Sequence, residues 1–415
     1  MNRILIAVGA ALAFAGSALA RPYDEIMKEA QAAYSAEDYA AAAALLDEAQ
    51  GERPYSLYLT RNRILTRILS GRMDEAIVIA KEIANRGLVL ETPAHEAFDR
   101  MRAEPAFAPV AARMEANAAR TGEKVIAAEF AESGLLPEAI SKRSGRLLIG
   151  SVTTGEIRNA SNGLELFASL DGGVFDIEQT KKAAFAVVNN QLAFEKRAEK
   201  PPFAAIVELD PKTGAERRRI GIADEKALLG DLEIGSDETI YASDSVTPRL
   251  FIVERGAKDA HVLASDDRFA NPQGIALDRK RRLIFMADYL TGLFAIDEKS
   301  GAVTAIANPA DAHLGGIDGL YLHDGDLIGV QNGTSPQRIV RIRLDKSGTI
   351  AERLDVIAQN LEEWNEPTHG LIDGDEFLYI ATSNWPAYDD EGNPRDGATP
   401  APLRIMSIGL MPRRN

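Results

Sequence analysis

The sequence predicts an α + all-β multidomain chain, in which N-terminal α-helical repeats precede a six-bladed β-propeller. Residues 24–120 are rich in Ala, Glu, Leu and Arg and poor in the apolar–polar alternation that is typical of strands. After Gly122 this pattern gives way to short β-rich runs that are separated by turn signals. Six of these runs open units of paired strands that begin 37 to 56 residues apart, which is the size of a propeller blade.

The composition excludes several classes of protein. The chain has 415 residues, and a hydrophobic fraction of 46% is that of a folded protein rather than a disordered one. The absence of Cys excludes a disulfide scaffold, a zinc–thiolate site, an iron–sulfur cluster and a cysteine nucleophile. A formal charge of −15 argues against nucleic-acid binding, which needs a basic surface, but leaves cations as ligands.

The first twenty residues have the pattern of a secretory signal peptide. Arg3 precedes an apolar run from Ile4 to Ala15, and small residues follow up to Ala20. The run is too short for an ordinary membrane-spanning helix, and no later segment reaches the required length. We therefore expect residues 1–20 to be removed by cleavage after Ala20, no membrane span, and a periplasmic or secreted protein.

Residues 21–121 are predicted to form the helical domain. Ala42 matches Ala76 at an offset of 34 residues, and Pro54 ends the first unit. A helix–turn–helix unit of this length looks like a tetratricopeptide repeat, and a third, degenerate unit is expected over residues 93–119. Such a domain either caps or spaces its neighbour or offers a small groove to a protein partner, and the sequence leaves both interpretations open.

Residues 122–415 are predicted to form the propeller. Three hairpins share a strand–Asp–turn–Gly–strand pattern, with Asp210, Asp297 and Asp345 at the end of the first strand. The last blade has only three strands of its own. Residues 124–130 are therefore expected to supply its outer strand and close the ring.

A ring of polar residues is expected on one face of this propeller, because the first strand of a blade starts where the second one ends. The inner positions are Glu138, Phe175, Asp231, Gln273, Asp318 and His369, and the strand-two ends add Asn189, Asp244, Asp288, Asn332 and Asn384. Three inner carboxylates without a Lys or Arg would repel one another, and an oxygen-ligated divalent cation, Ca²⁺ as the natural candidate, would relieve this. Solvated channel residues, or carboxylates bonded to backbone amides of neighbouring blades, are the alternative.

Three segments resemble the six-bladed propellers of the regucalcin/gluconolactonase family, which are related to paraoxonase and diisopropylfluorophosphatase. They are Leu136-Pro137-Glu138-Ala139-Ile140, Asn271-Pro272-Gln273-Gly274-Ile275-Ala276 and Gly316-Ile317-Asp318-Gly319-Leu320. The resemblance implies a central Ca²⁺ or other divalent cation held by Glu138, Asp231, Gln273 and Asp318. Gln273 stands where the family usually has Asn, and Asp231 replaces a more usual amide.

The same resemblance implies a periplasmic, metal-dependent hydrolase of lactones or esters. Asp318 would act as general base as well as ligand, and His369 is an alternative base, since an imidazole exchanges protons near neutral pH. The residues expected to contact a lactone, ester or sugar-like substrate are Asn189, Asp288, Tyr289, Asn332 and Trp385. Two other hypotheses remain: a non-catalytic propeller that binds a ligand or protein, helped by the helical repeats, and a sensor or assembly factor of the cell envelope.

Overall fold

The computed structural model describes residues 21–132, 134–389 and 391–410 of the chain. The predicted signal peptide, residues 1–20, lies outside the described residues. The chain divides between Ala118 and Ala119 into two compact units, the first helical and the second built of strands. In the part of the chain that the structure describes, no helix has both the length and the apolar character needed to cross a membrane.

The N-terminal unit contains six α-helices among its described residues. They are α1 (Tyr23–Ser35), α2 (Tyr39–Glu52), α3 (Leu57–Leu69), α4 (Met73–Asn85), α5 (Glu96–Ala103) and α6 (Ala108–Asn117). The Asp38 side chain accepts a hydrogen bond of 3.0 Å from the Ala41 N–H at the start of α2, and Ser56 caps α3 through the Leu59 N–H at 3.3 Å. These caps satisfy amides that have no partner in the first helical turn.

The prediction of a tetratricopeptide-like repeat domain was wrong. The helical region is small, and the 34-residue helix–turn–helix pattern does not continue beyond its first two helix pairs. Ala42 and Ala76 are fully buried, in α2 and α4. Their match at 34 residues therefore reflects two helices that each pack closely through a small residue, which is a weaker condition than a structural repeat. The expected third unit is instead the 8-residue α5, a short 3₁₀ turn at Pro105–Phe107 and then α6.

The second unit is a six-bladed β-propeller, as predicted. Its described strands form six four-stranded antiparallel sheets. The first strand of each sheet contacts the first strand of the next, and the sixth contacts the first, so that the inner strands form a closed ring. Blades one to three consist of β2 (Pro137–Arg143), β3 (Arg146–Ser151), β4 (Glu156–Asn159), β5 (Glu165–Ser169); β6 (Gly173–Gln179), β7 (Ala184–Asn189), β8 (Ala204–Leu209), β9 (Glu216–Gly221); and β10 (Leu229–Ile234), β11 (Ile240–Asp244), β12 (Arg249–Val253), β13 (His261–Ala264).

The ring is closed in blade six by a strand from the other end of the unit. Here β1 (Val125–Phe130) pairs antiparallel with the last strand of the chain, β24, as the sequence predicted. This pairing gives blade six the fourth strand that each of the other blades has. Blades four to six consist of β14 (Pro272–Asp278), β15 (Leu283–Asp288), β16 (Gly292–Asp297), β17 (Val303–Ala305); β18 (Leu320–His323), β19 (Asp326–Gln331), β20 (Arg338–Leu344), β21 (Ala351–Gln359); and β22 (Gly370–Asp373), β23 (Glu376–Ile380), β24 (Leu403–Gly409), β1.

The three Asp–turn–Gly hairpins form as predicted. In the first, Asp210 Oδ1 accepts hydrogen bonds of 2.8 Å from the N–H groups of Lys212 and Thr213, which fixes the turn. Gly214 has φ +72°, and a Cβ at this position would lie 1.9 Å from the Phe167 carbonyl oxygen. Only glycine therefore fits at this corner of the hairpin.

Candidate metal centre

The inner strands of blades one to four carry a β-bulge close to their first residue. The antiparallel register shifts between Pro137 and Ala139, Val174 and Asp176, Leu229 and Leu232, and Pro272 and Ile275. A bulge leaves a residue outside the ladder and turns its side chain away from the regular alternation. Glu138, Phe175, Asp231 and Gln273 lie in these bulges, whereas Asp318 and His369 stand just before β18 and β22.

Three of the predicted inner residues converge on one point. One ligand atom each from Glu138, Asp318 and His369 lie within 4.8 Å of one another. Only 6% of Glu138 and 5% of His369 is exposed, whereas Asp318 is partly buried. Two carboxylates and one imidazole at this separation form a donor set for a divalent cation.

Burial dominates the electrostatics of the two carboxylates in this triad. Burial, and then the charge of Asp318, raise the pKa of Glu138 well above its usual range. Burial also raises the pKa of Asp318, against the opposing effects of His369 and of a hydrogen bond from Asn332. Among the described residues, no Lys or Arg forms an ion pair with either carboxylate. A cation would therefore stabilise the charged forms of both groups.

The triad lines a cavity of about 500 Å³. Trp385 donates a hydrogen bond of 2.8 Å from Nε1 to Oε2 of Glu138. Asn332 donates from Nδ2 to Oδ2 of Asp318 at 2.8 Å, and its own Oδ1 accepts from the Tyr289 hydroxyl at 3.0 Å. These three cavity residues were predicted to contact substrate, and their polar atoms also orient the two carboxylates.

Tyr289 is held in place by a close approach of the backbone. A Cβ on Gly333 would lie 2.3 Å from the Tyr289 hydroxyl oxygen. The phenol therefore occupies the space that a side chain at position 333 would need. Burial raises the pKa of Tyr289 well above its usual range, and the negative charges of Asp318, Glu366 and Glu138 add smaller contributions in the same direction. The phenol is therefore a hydrogen-bond donor in this cavity and not a source of protons.

The other two residues predicted to contact substrate do not line the cavity. Asn189 is fully buried and pairs with the backbone of Leu229 in blade three, through Nδ2 to the carbonyl at 2.8 Å and from the N–H to Oδ1 at 3.0 Å. Asp288 is also fully buried, and each of its oxygens accepts two backbone N–H groups. Both side chains hold loops and blades together. Their position at a strand end in the sequence does not distinguish this structural role from ligand binding.

The four residues predicted as metal ligands have different surroundings. Glu138 and Asp318 belong to the triad. Gln273 lines the cavity, with its Nε2 bonded to Asn271 Oδ1 at 2.8 Å. Asp231 is outside the triad: its Oδ2 accepts from the Ile275 N–H of blade four at 2.7 Å, and burial followed by a neighbouring acid raises its pKa well above the usual range.

Glu366 is a cavity residue that the sequence analysis did not predict. Glu366 lies in the loop before β22, with φ +57°, and its carboxyl forms no hydrogen bond with another described residue. Burial and the charge of Asp318 raise its pKa to about 7. Its signal in the sequence was an acidic residue next to Pro367, three positions before His369, outside the strand-one starts and strand-two ends that predict the polar ring.

Comparison with known proteins gives only distant similarities to solved structures. No protein-family model and no curated protein matches the sequence. The PQQ-bound aldose sugar dehydrogenase of Streptomyces coelicolor is 15% identical, over 70% of this chain and 100% of that one, with a TM-score of 0.47. An oxidoreductase (glucose dehydrogenase) of Thermus thermophilus is 16% identical over 69% and 100% of the two chains, with a TM-score of 0.45.

A third similar structure is virginiamycin B lyase from Staphylococcus aureus, 13% identical over 61% of this chain and 80% of that one, with a TM-score of 0.45. At these levels the likeness carries no information about activity. None of the three is a regucalcin or gluconolactonase, so that resemblance remains a hypothesis. The second unit of the chain is a six-bladed β-propeller with a cavity at its inner strands, and Glu138, Asp318 and His369 line that cavity.

Proposed function

We propose that this protein is a hydrolase of lactones or esters that depends on a divalent cation bound by Glu138, Asp318 and His369. The observation that carries this proposal is the convergence of the three side chains within 4.8 Å, with Glu138 and His369 buried and with no Lys or Arg ion pair to either carboxylate among the described residues. The donors fit a metal ion, because the two carboxylates repel each other when both are charged and neither forms an ion pair with a Lys or Arg among the described residues.

The imidazole of His369 affects which cation the site would prefer. Ca²⁺, the ion expected from sequence, takes oxygen ligands almost exclusively, whereas Zn²⁺ and other first-row ions accept imidazole together with carboxylate. A donor set of two carboxylates and one His therefore favours Mn²⁺ or Zn²⁺ over Ca²⁺. A cation at this position would supply Lewis acidity towards a carbonyl oxygen of the substrate.

The residues of the cavity would orient the substrate and move the proton. Asp318 and His369, expected as bases from sequence, are both engaged in the triad. Glu366 lines the same cavity with an unbonded carboxyl and a pKa of about 7, so it can accept a proton from water near neutral pH. Water would attack the carbonyl carbon, Glu366 would take its proton, and the same proton would go to the leaving oxygen as the carbon–oxygen bond breaks.

The experiment is a panel of aldonolactones and aryl esters assayed with protein that is loaded in turn with Mn²⁺, Zn²⁺ and Ca²⁺. We expect turnover that requires metal and falls by on the order of 100-fold or more in kcat in Glu366→Gln, with metal content unchanged. Glu362→Gln is the matched control, because Glu362 lies in the same loop with a largely exposed carboxylate. Equal kcat in Glu366→Gln and wild type would overturn the role of Glu366.

Metal-loaded protein that turns over no member of the panel would indicate the alternative function, a non-catalytic propeller that binds a small ligand. Export to the periplasm is part of the proposal and rests on residues 1–20 of the sequence. It is tested by N-terminal sequencing of the protein recovered from the periplasm, where a chain starting at Arg21 is expected and a chain starting at Met1 would contradict cleavage.

A further inference from the structure

The second ring nitrogen of His369 has no hydrogen-bond partner among the described residues. His369 is 5% exposed, and its Nδ1 is one of the buried polar atoms left without a bond. An unsatisfied buried donor or acceptor costs about 1–3 kcal/mol, so such atoms in folded proteins usually have a functional reason. An imidazole that binds a metal through one nitrogen normally donates a hydrogen bond from the other.

The nearest acidic group to this nitrogen is Asp176 of blade two. Its Oδ1 lies 3.9 Å from Nδ1 of His369, and 7% of the residue is exposed. Its Oδ2 accepts a hydrogen bond of 2.9 Å from the Leu232 N–H of blade three. Oδ2 is thus anchored to a neighbouring blade, where Asp231 accepts from the same N–H, and Oδ1 faces the imidazole.

A local irregularity of the backbone produces this arrangement. The register of β6 against β7 shifts between Val174 and Asp176, so that Phe175 lies in the bulge. Phe175 lines the cavity, while the next side chain, Asp176, faces His369. Blade two therefore contributes an apolar wall to the cavity and a carboxylate behind the triad from two consecutive residues.

We propose that Asp176 is the positioning residue of the metal centre: it accepts a hydrogen bond from Nδ1–H of His369 and so directs the lone pair of Nε2 at the cation. This inference rests on the proposed function, since it assigns a hydrogen-bond partner to His369, one of the three proposed metal ligands. With the proton on Nδ1, the neutral ring has its free lone pair on Nε2. When His369 binds the cation, the distance of 3.9 Å between its Nδ1 and Oδ1 of Asp176 has to shorten to hydrogen-bond length, about 2.8 Å.

The decisive variant is Asp176→Asn, which keeps the shape of the side chain. The amide oxygen of the asparagine can still accept a hydrogen bond from the Leu232 N–H. The amide N–H₂ would then face Nδ1 of His369, and Nδ1 would have to accept a hydrogen bond from it. The proton would then move to Nε2 and block the lone pair needed for the cation. We expect Asp176→Asn to weaken Mn²⁺ binding by about 10- to 100-fold in calorimetric titrations.

Glu178→Gln is the matched control. Glu178 lies two residues further along β6, close enough to Asp176 for their charges to interact, and it is not paired with His369. Removing this charge should leave Mn²⁺ affinity within about twofold of wild type. An equal loss in both variants would show that net charge, and not the contact with His369, sets the affinity, and would overturn the proposal.

A second measurement does not depend on metal binding. Long-range ¹⁵N–¹H correlation spectra of the metal-free protein report which ring nitrogen of a histidine carries the proton, and His369→Gln assigns the signal among five histidines. We expect the Nδ1–H form in wild type and a shift towards Nε2–H in Asp176→Asn. Wild-type protein in the Nε2–H form, or wild-type Mn²⁺ affinity in Asp176→Asn, would overturn this inference. A wild-type protein that binds no Mn²⁺ but shows the Nδ1–H form would instead overturn the proposed function alone.

Discussion

Trp385 and Glu138, 247 residues apart in the chain, are joined by a hydrogen bond of 2.8 Å from the indole Nε1–H to the carboxylate Oε2. Trp385 belongs to the loop between β23 and β24 of blade six, and Glu138 lies in the bulge of β2 in blade one. The bond therefore spans the two blades between which the ring closes. It also offsets part of the rise in the pKa of Glu138 that burial causes.

Replacing Trp385 by Phe should weaken the metal centre. Without the indole N–H, the charged form of Glu138 loses its hydrogen bond and its orientation, so we expect about tenfold weaker Mn²⁺ binding by calorimetry. The chain has one other tryptophan, Trp364, which donates to the Tyr379 hydroxyl at 3.1 Å and packs in a hydrophobic core. Trp364→Phe should cost stability and leave Mn²⁺ affinity unchanged; equal affinities of Trp385→Phe and wild type would contradict the role of Trp385.

Asn189 is expected to affect stability and not substrate binding. Asn189→Ala would leave both the N–H and the carbonyl of Leu229 buried without partners, at a cost of about 2–4 kcal/mol in the free energy of unfolding. Thermal unfolding should show a fall of several degrees in Tm, while Mn²⁺ affinity and KM stay at wild-type values. A variant with the wild-type Tm and a raised KM would restore the original expectation that Asn189 contacts substrate.

Glu178 should make the protein less stable as pH rises. Burial, and then the charge of Asp176, raise the pKa of Glu178 to about 7. Between about pH 4.5 and 7 the folded chain holds a proton that the unfolded chain has lost, so the free energy of unfolding falls as pH increases through this window.

The variant Glu178→Gln removes this contribution. We expect it to be roughly 1–3 kcal/mol more stable than wild type at pH 8, and equal to wild type at pH 4.5 and below. Urea unfolding at the two pH values measures the difference. Parallel stability profiles of variant and wild type across this range would contradict a raised pKa at Glu178.

The blades were predictable because their signals are local, whereas the predicted ligand set included Asp231 and Gln273 and had His369 only as a base. Each blade needs paired β-rich runs and tight turns, and Asp210 in its hairpin shows that a side chain can specify a turn within a few residues. Glu138, Asp318 and His369 were expected together because the starts of inner strands meet at one end of a propeller. The prediction of helical repeats was wrong because small buried residues such as Ala42 satisfy any close helix packing.

The remaining features depend on backbone detail that a sequence pattern does not contain. The bulge in β6 lets Phe175 line the cavity as expected while the next residue, Asp176, faces His369, and a sequence pattern does not reveal this second orientation. Glu366 lies in a loop, outside any strand periodicity. Asn189 was predicted at the correct strand end, but pairing with a backbone 40 residues away gives it a structural role.

The central claim is that Glu138, Asp318 and His369 bind one divalent cation, and calorimetric titration of metal-free protein with Mn²⁺ and Zn²⁺ tests it most directly. We expect one site per chain in wild type. Asp318→Asn should weaken binding by more than about 100-fold, because loss of a ligand costs more than the loss of a supporting hydrogen bond. Asp389→Asn, which removes a carboxylate of the same cavity outside the triad, should bind as wild type does. Wild-type protein that binds neither ion, or Asp318→Asn with undiminished affinity, would contradict the claim.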